Sequence, residues 1–120
     1  MKDQIVLTGI HGFGYHGVFE HERKDGQDFF VDLTLGVDLT VPSNSDAIED
    51  TVNYAEITDL VVEEITSNPV NLIEKLAGRI AERVLNQHLK VQQVSVTVHK
   101  PQAPVAAQLK DIAVVVTRSR

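Results

Sequence analysis

The feature that most constrains this fold is a change of hydrophobic period, from two to about 3.6 and back to two. From residue 29 to 39 the odd positions are apolar: Phe29, Val31, Leu33, Leu35, Val37 and Leu39. Asp32, Thr34, Gly36 and Asp38 between them are polar or small. Such alternation places side chains on opposite faces of a strand and buries one face. Residues 5–10 read as an earlier strand, separated from the first by a glycine-rich turn region with Gly12, Gly14, Gly17 and Gly26. Past Ala55 the spacing changes, and Ile57, Leu60, Val61 and Ile65 share one helical face. After Asn68-Pro69 a second helix turns Leu72, Leu76, Ile80 and Val84 inward, with Ile73, Ala77 and Ala81 beside them. Asn71, three residues before Glu74, is a start signal for it. Val94, Val96 and Val98 then alternate with Ser95, Thr97 and His99 until Pro101, which has no N–H to give a ladder. Residues 112–117 form a last strand, apolar on both faces.

The order ββααββ predicts an α+β fold, one domain over residues 1–120, with a four-stranded antiparallel sheet and two helices on one face. The outer edges of such a sheet are unpaired, and open edges are normally blocked or joined. With a last strand apolar on both faces, we expect copies to join edge to edge into a closed ring.

Composition narrows the function. Apolar residues at 42% and charged residues at 23% suit a folded domain rather than a disordered chain. No apolar run is long enough to span a bilayer, and no cleavage site follows the short apolar start, so a cytoplasmic address is expected. The absence of cysteine excludes disulfides and thiol chemistry. A net charge of -6 with scattered basic residues argues against nucleic acid as partner. Among the five histidines, His11, His16 and His21 recur every five residues, which suits neither a helix face nor a strand face, so no metal site is expected. Gly12-x-Gly14-x-x-Gly17 matches a dinucleotide fingerprint in form only, because a charged turn and a strand follow it instead of a helix. Those glycines read as loop positions that adopt positive φ.

Four residues are candidates for chemistry. Lys100 continues the inward face of Val94, Val96 and Val98, where desolvation lowers an amine's pKa and suits it to proton transfer. A snorkelling ammonium is the commoner outcome on position alone. Glu74 at a helix start either caps backbone N–H groups or offers two oxygens to a flat, guanidine-like edge. Glu22 sits in the charged turn His21-Glu22-Arg23-Lys24 and reads as a solvated charge. Tyr54 opens the first helix, where packing with a wet hydroxyl is the usual outcome.

Together these residues lie in four blocks that resemble the dihydroneopterin aldolases. The first runs Gly14-Tyr15-His16-Gly17-Val18-Phe19-Glu20-His21-Glu22-Arg23, then Gly26-Gln27-x-Phe29-x-Val31-Asp32-Leu33. The others are Asp50-Thr51-Val52-Asn53-Tyr54, Leu72-Ile73-Glu74, and Val98-His99-Lys100-Pro101-Gln102-Ala103-Pro104. The resemblance implies the tunnelling fold, with tetrameric barrels stacked into an octamer, and a pterin substrate held where subunits meet. It implies retro-aldol cleavage of dihydroneopterin in folate synthesis, with neither metal nor Schiff base and no cofactor. Carried onto this chain, it gives Glu74 and the Ile73 backbone the pterin ring. Tyr54 comes from a neighbouring subunit to the reacting side chain. Glu22 holds that side chain's hydroxyls and a water, and Lys100 shuttles the proton. His21, where an acidic residue is frequent, and Ala106, where a second proline is expected, depart from the pattern. A dihydroneopterin triphosphate epimerase and a non-catalytic pterin-binding oligomer are the alternatives. The first would want a basic cluster beyond Arg23 and Lys24, and the second has no need of Lys100.

Overall fold

A computed structural model describes residues 2–120. The strands are β1 (Gln4–Gly14), β2 (Gln27–Gly36), β3 (Gln93–His99) and β4 (Ala113–Ser119). They form one four-stranded sheet in the order β1-β2-β3-β4, each neighbour antiparallel. Helix α1 (Glu20–Asp25) joins the first hairpin, and α2 (Thr40–Ser45) with a short 3-10 turn (Ile48–Asp50) follows β2. The long helices α3 (Tyr54–Thr66) and α4 (Ile73–Gln87) cover one face, α3 over β1 and α4 over β3 and β4.

The alternation predicted for β2 is present. Phe29, Val31, Leu33 and Leu35 are fully buried, and Val94, Val96 and Val98 match them on β3. Ile57, Val61 and Ile65 of α3 and Leu76, Ile80 and Val84 of α4 close the core from above. The opposite sheet face has no helix on it and carries Phe30, Asp32 and Thr34 across from His99, Thr97 and Ser95.

Several boundaries differ from expectation. The strand ends at Gly36, because Asp3 takes over the next backbone groups: its carbonyl accepts from Val37 N–H and its carboxylate from Leu39 N–H. The short helices α1 and α2 carried no long apolar period and were not expected. β1 continues to Gly14, four residues beyond the predicted end at Ile10. A bulge hides that extension: Thr8 and Gly9 together face Asp32, and Gly9 takes φ 73°. Ile5 and Leu7 face the helices before the bulge, and Ile10, Gly12 and Gly14 after it. Gly12 and Gly14 are therefore strand residues without positive φ, contrary to the loop reading. They are small because α3 lies against them. A Cβ on Gly12 would stand 2.7 Å from Ile65 Cγ2, and one on Gly14 2.5 Å from the Ile65 carbonyl oxygen.

Helix α4 starts at Ile73, and Leu72 is its cap residue, 51% exposed rather than buried in the helix as expected. No side chain caps that end, so the Asn71–Glu74 start signal is not used. The other end is closed from the chain terminus. Arg120 donates to the carbonyls of Leu85 (2.6 Å), His88 (3.1 Å) and Val91 (2.9 Å), a cation on the negative end of the helix. No helix among the described residues is long and apolar enough to cross a membrane.

Candidate active site

At the end of the sheet near the first hairpin, Lys100 and Gln27 sit on the core-facing parity. Lys100 follows β3 in step with Val94, Val96 and Val98, and Gln27 opens β2 in step with Phe29 and Val31. An ammonium placed there needs a counter-charge. Lys100 Nζ finds one in Glu22 Oε2 at 2.6 Å, with the two side chains 13% and 3% exposed. Lys100 is thus neither snorkelling nor an isolated desolvated amine. It is half of a buried ion pair.

Glu22 is equally unlike its expectation as a solvated charge. Helix α1 folds its carboxylate back beneath the preceding loop, where Oε1 accepts from Phe19 N–H (3.2 Å) and Oε2 from Gln27 Nε2 (2.9 Å). Gly17 makes room, since a Cβ there would lie 2.4 Å from the Glu22 carboxyl carbon. Burial by itself would push this carboxyl's pKa up. Hydrogen bonds from Lys100, Gln27 and the Phe19 N–H outweigh it and hold the group below the usual carboxylate value. Buried ion pairs stabilise a fold weakly against an apolar substitute. Their concentration in a cleft is characteristic of sites that move protons.

Glu74 stands in the first turn of α4, exposed, and its carboxylate has no hydrogen-bond partner among the described residues. The capping alternative is therefore not realised. Asn71, the other half of that signal, accepts from Arg23 Nη2 instead. The positive end of the α4 dipole favours an ionised carboxylate at this place.

A strap fixes the Glu22 segment to the start of α4. His16, fully buried, donates from Nε2 to the Ile65 carbonyl (2.8 Å) and accepts at Nδ1 from Val70 N–H (3.0 Å). Gly17 N–H donates to the Val70 carbonyl (2.9 Å), and Arg23 Nε to the Gly17 carbonyl (2.8 Å). Burial pushes the His16 pKa down, the Ile65 carbonyl partly opposing it. Neither His16 nor Gln27 was singled out from sequence. For Gln27 the signal was available, because it continues the odd, buried parity of β2.

Glu22, Ile73, Glu74 and Lys100 line one open cleft of about 300 Å³, walled by Val18, Phe19, Leu72, Pro104, Val105, Ile112 and Val114. Its rim exposes apolar surface: Phe19 is 53% exposed and Val105 47%. An apolar slot with a free carboxylate at one side and an ion pair at the other suits a flat ring with a polar tail.

Tyr54 is not brought to this cleft in its own chain. It begins α3, which is ~20 Å long, whereas Glu74 follows the far end of that helix. Asn53, just before it, shares a groove with Gln87, His88 and Lys90, beyond the opposite end of α4. Tyr54 is 57% exposed.

Comparison with known proteins supplies the family. The family model described as "Dihydroneopterin aldolase" matches residues 5–117. The chain is 43% identical over 118 residues to a dihydroneopterin aldolase of Streptomyces coelicolor, covering 98% of each. It is 42% identical to that of Bacillus subtilis, again with 98% of each covered. The crystal structure of the E. coli dihydroneopterin aldolase in complex with neopterin superposes with a TM-score of 0.90 at 24% identity, covering 98% of this chain and 99% of that one. The four sequence blocks, the α-on-β layer and relatives above 40% identity over nearly the full length converge: this chain belongs to the dihydroneopterin aldolase family.

Proposed function

We propose that the chain cleaves dihydroneopterin to hydroxymethyl-dihydropterin and glycolaldehyde, as a carbon–carbon lyase of folate biosynthesis. The observation that carries this reading is the buried Glu22–Lys100 pair sharing an apolar cleft with the uncommitted carboxylate of Glu74. Glu74 takes the amino and ring N–H groups of the pterin through two parallel hydrogen bonds, assisted by the Ile73 backbone. The ring lies between Phe19, Leu72 and Val105. Its trihydroxypropyl chain then points toward Glu22 and Lys100.

The chemistry follows from where electrons can go. Removal of a proton from the second side-chain hydroxyl lets the bond between the first and second side-chain carbons break. The second carbon leaves as the aldehyde of glycolaldehyde. The bonding pair moves into the ring C=N, whose nitrogen takes a proton, leaving an enol-type intermediate. Protonation of its exocyclic carbon, with loss of that N–H proton, restores the C=N and gives the hydroxymethyl product. The ring is its own electron sink, so the protein has only to position the substrate and move protons. Glu22 holds the hydroxyls and a water, and Lys100 passes protons between that water and the substrate. Positioned acid–base groups of this kind contribute about 10²–10⁴-fold. Orientation in the cleft supplies the rest. If glycolaldehyde turns over before leaving and adds back, the product is the epimer, so epimerase side activity belongs to the same site.

The site is completed by a second copy, whose Tyr54 reaches the reacting side chain. Three features support this. Tyr54 is exposed at the start of α3, and the outer edges of β1 and β4 are unpaired among the described residues. The radius of gyration, 15.4 Å, also exceeds the ~13.6 Å of a compact chain this long. A ring closed through β1 and β4, stacked in pairs, gives the tetramer and octamer of the tunnelling fold.

Incubation with dihydroneopterin, with and without chelator, tests the reading by chromatography of the products. Glycolaldehyde formed equally in both supports it. Epimer alone, or no product, rejects it.

A further inference from the structure

The loop of residues 101–111 carries Ala103, Pro104 and Val105 to the cleft, yet little holds it. Apart from half-buried Ala103 it is exposed throughout. Within its first residues only short turn bonds form, from Ala103 N–H to the Lys100 carbonyl (3.2 Å) and from Val105 N–H to the Ala103 carbonyl (2.9 Å). Gln102 Oε1 accepts from Asp28 N–H at 2.9 Å. The loop is closed at its neck by two contacts. One is Lys100 N–H to the Ile112 carbonyl at 2.7 Å. The other is on the helix-free face, where His99 Nδ1 meets Asp111 Oδ2 at 2.6 Å.

The same imidazole is held from the other side. His99 Nε2 meets Asp32 Oδ2 at 2.7 Å, and Asp32 Oδ1 accepts from Gly9 N–H in the β1 bulge at 2.7 Å. One line of contacts therefore runs from the bulge through Asp32 and His99 to the end of the loop. A carboxylate oxygen only accepts, so both contacts are hydrogen bonds only when both ring nitrogens carry protons. A neutral ring leaves a bare nitrogen facing one of the two carboxylates. Asp32 on β2 and Asp111 before β4 are the charged groups that face this ring.

We propose that His99 is a positioning residue: as an imidazolium it clamps the 101–111 loop over the cleft through Asp111 and sets the end of β3 that carries Lys100. Loss of its proton then loosens the cleft wall without touching the substrate. The hydrogen bond to Asp111, opposed by burial and aided by Asp32, raises the His99 pKa above its ordinary 6.5. A raised value in the folded state means the clamp is complete below that ordinary value and is lost as pH rises through the folded one.

The link to the cleft rests on the proposed aldolase reading, but the clamp itself is tested without substrate. Asp111→Asn is the informative variant, because an amide at 111 donates to a neutral Nδ1 while Nε2–H still serves Asp32. In the wild-type protein, amide exchange across residues 101–111, compared with Asp111→Asn at each pH, should accelerate over the pH range in which His99 loses its proton, a range centred above 6.5. The His99 ring resonances should titrate above 6.5 in the wild type and lower in the variant. The KM for dihydroneopterin should rise about three- to fivefold over that range in the wild type relative to the variant, the scale of a partly exposed charge pair. Superimposable exchange profiles, or a His99 that titrates at or below 6.5, overturn the clamp. Identical KM profiles with a working clamp overturn its role at the cleft. An absence of cleavage defeats the proposed reaction and leaves exchange and resonance to decide the clamp.

Discussion

The two ends of the helical layer are built on opposite terms. Around the junction of α3 and α4, this chain pairs inward polar groups with one another, Lys100 with Glu22, Glu22 with Gln27 and His16 with two backbone groups, and leaves the exposed Glu74 without a partner among the described residues. Where α3 begins, Tyr54 is exposed, and Ile48 (64%) and Leu89 (72%) add apolar surface at that end. One end has its polar groups paired within the chain, and the other exposes an aromatic and apolar surface. On the proposed reading, the difference teaches that the groups assigned to proton transfer and the tyrosine are kept apart by distance, at opposite ends of a helix of ~20 Å.

Breaking the paired end has the largest expected effect. Lys100→Ala should lower the cleavage rate by at least ~10²-fold while pterin affinity stays within about tenfold, or 1.4 kcal/mol. Glycolaldehyde release at the original rate would remove Lys100 from the chemistry. Glu74→Ala acts on the ring instead. Losing its charge-assisted hydrogen bonds should weaken pterin binding by about 3 kcal/mol, seen by fluorescence titration. Normal binding by that variant would leave Glu74 without a role.

The exposed end is sharpened by mixing. Tyr54→Ala and Lys100→Ala, each impaired alone, should regain activity when dissociated and reassembled together, toward about a quarter of the wild-type level if copies combine at random. No recovery would mean Tyr54 serves its own chain or none. The smallest effect concerns the strap. His16 is neutral when folded and its pKa is depressed, so its contribution to stability is present above its ordinary 6.5 and lost as pH falls through the folded value. Denaturant midpoints of His16→Gln should depend less on pH on the acid side than those of the wild type. A parallel decline in both proteins would show that other groups set the acid limit.

Much of this was legible in the chain. The strands β2 and β3 and the inner faces of α3 and α4 follow directly from spacing, because each buries one face throughout. The full length of β1 was not legible, because its bulge changes the inward parity and no single period runs through it. Glu22 was misread for a different reason. Nothing within the run His21-Glu22-Arg23-Lys24 announces a partner supplied by residue 100, so local charge looked like solvated charge. Lys100 was flagged by parity alone, and its ion pair depends on a contact between distant segments. Asn71 and Glu74 had the spacing of a cap, but Arg23 takes Asn71 and the helix begins two residues later.

The bulge at Thr8-Gly9 makes β1 a strand with a phase step, and length there becomes a matter of odd and even. Removing Gly9 alone would restore a uniform pleat and keep the faces of both halves: Thr8 would stand outward opposite Asp32, with Ile5 and Leu7 before it and Ile10, Gly12 and Gly14 after it still turned inward. What that deletion loses is the Gly9 N–H bond to Asp32. Removing Thr8 and Gly9 together would reverse one half, either turning Ile5 and Leu7 outward with Val6 inward or giving the places of the glycines under α3 to His11 and Phe13.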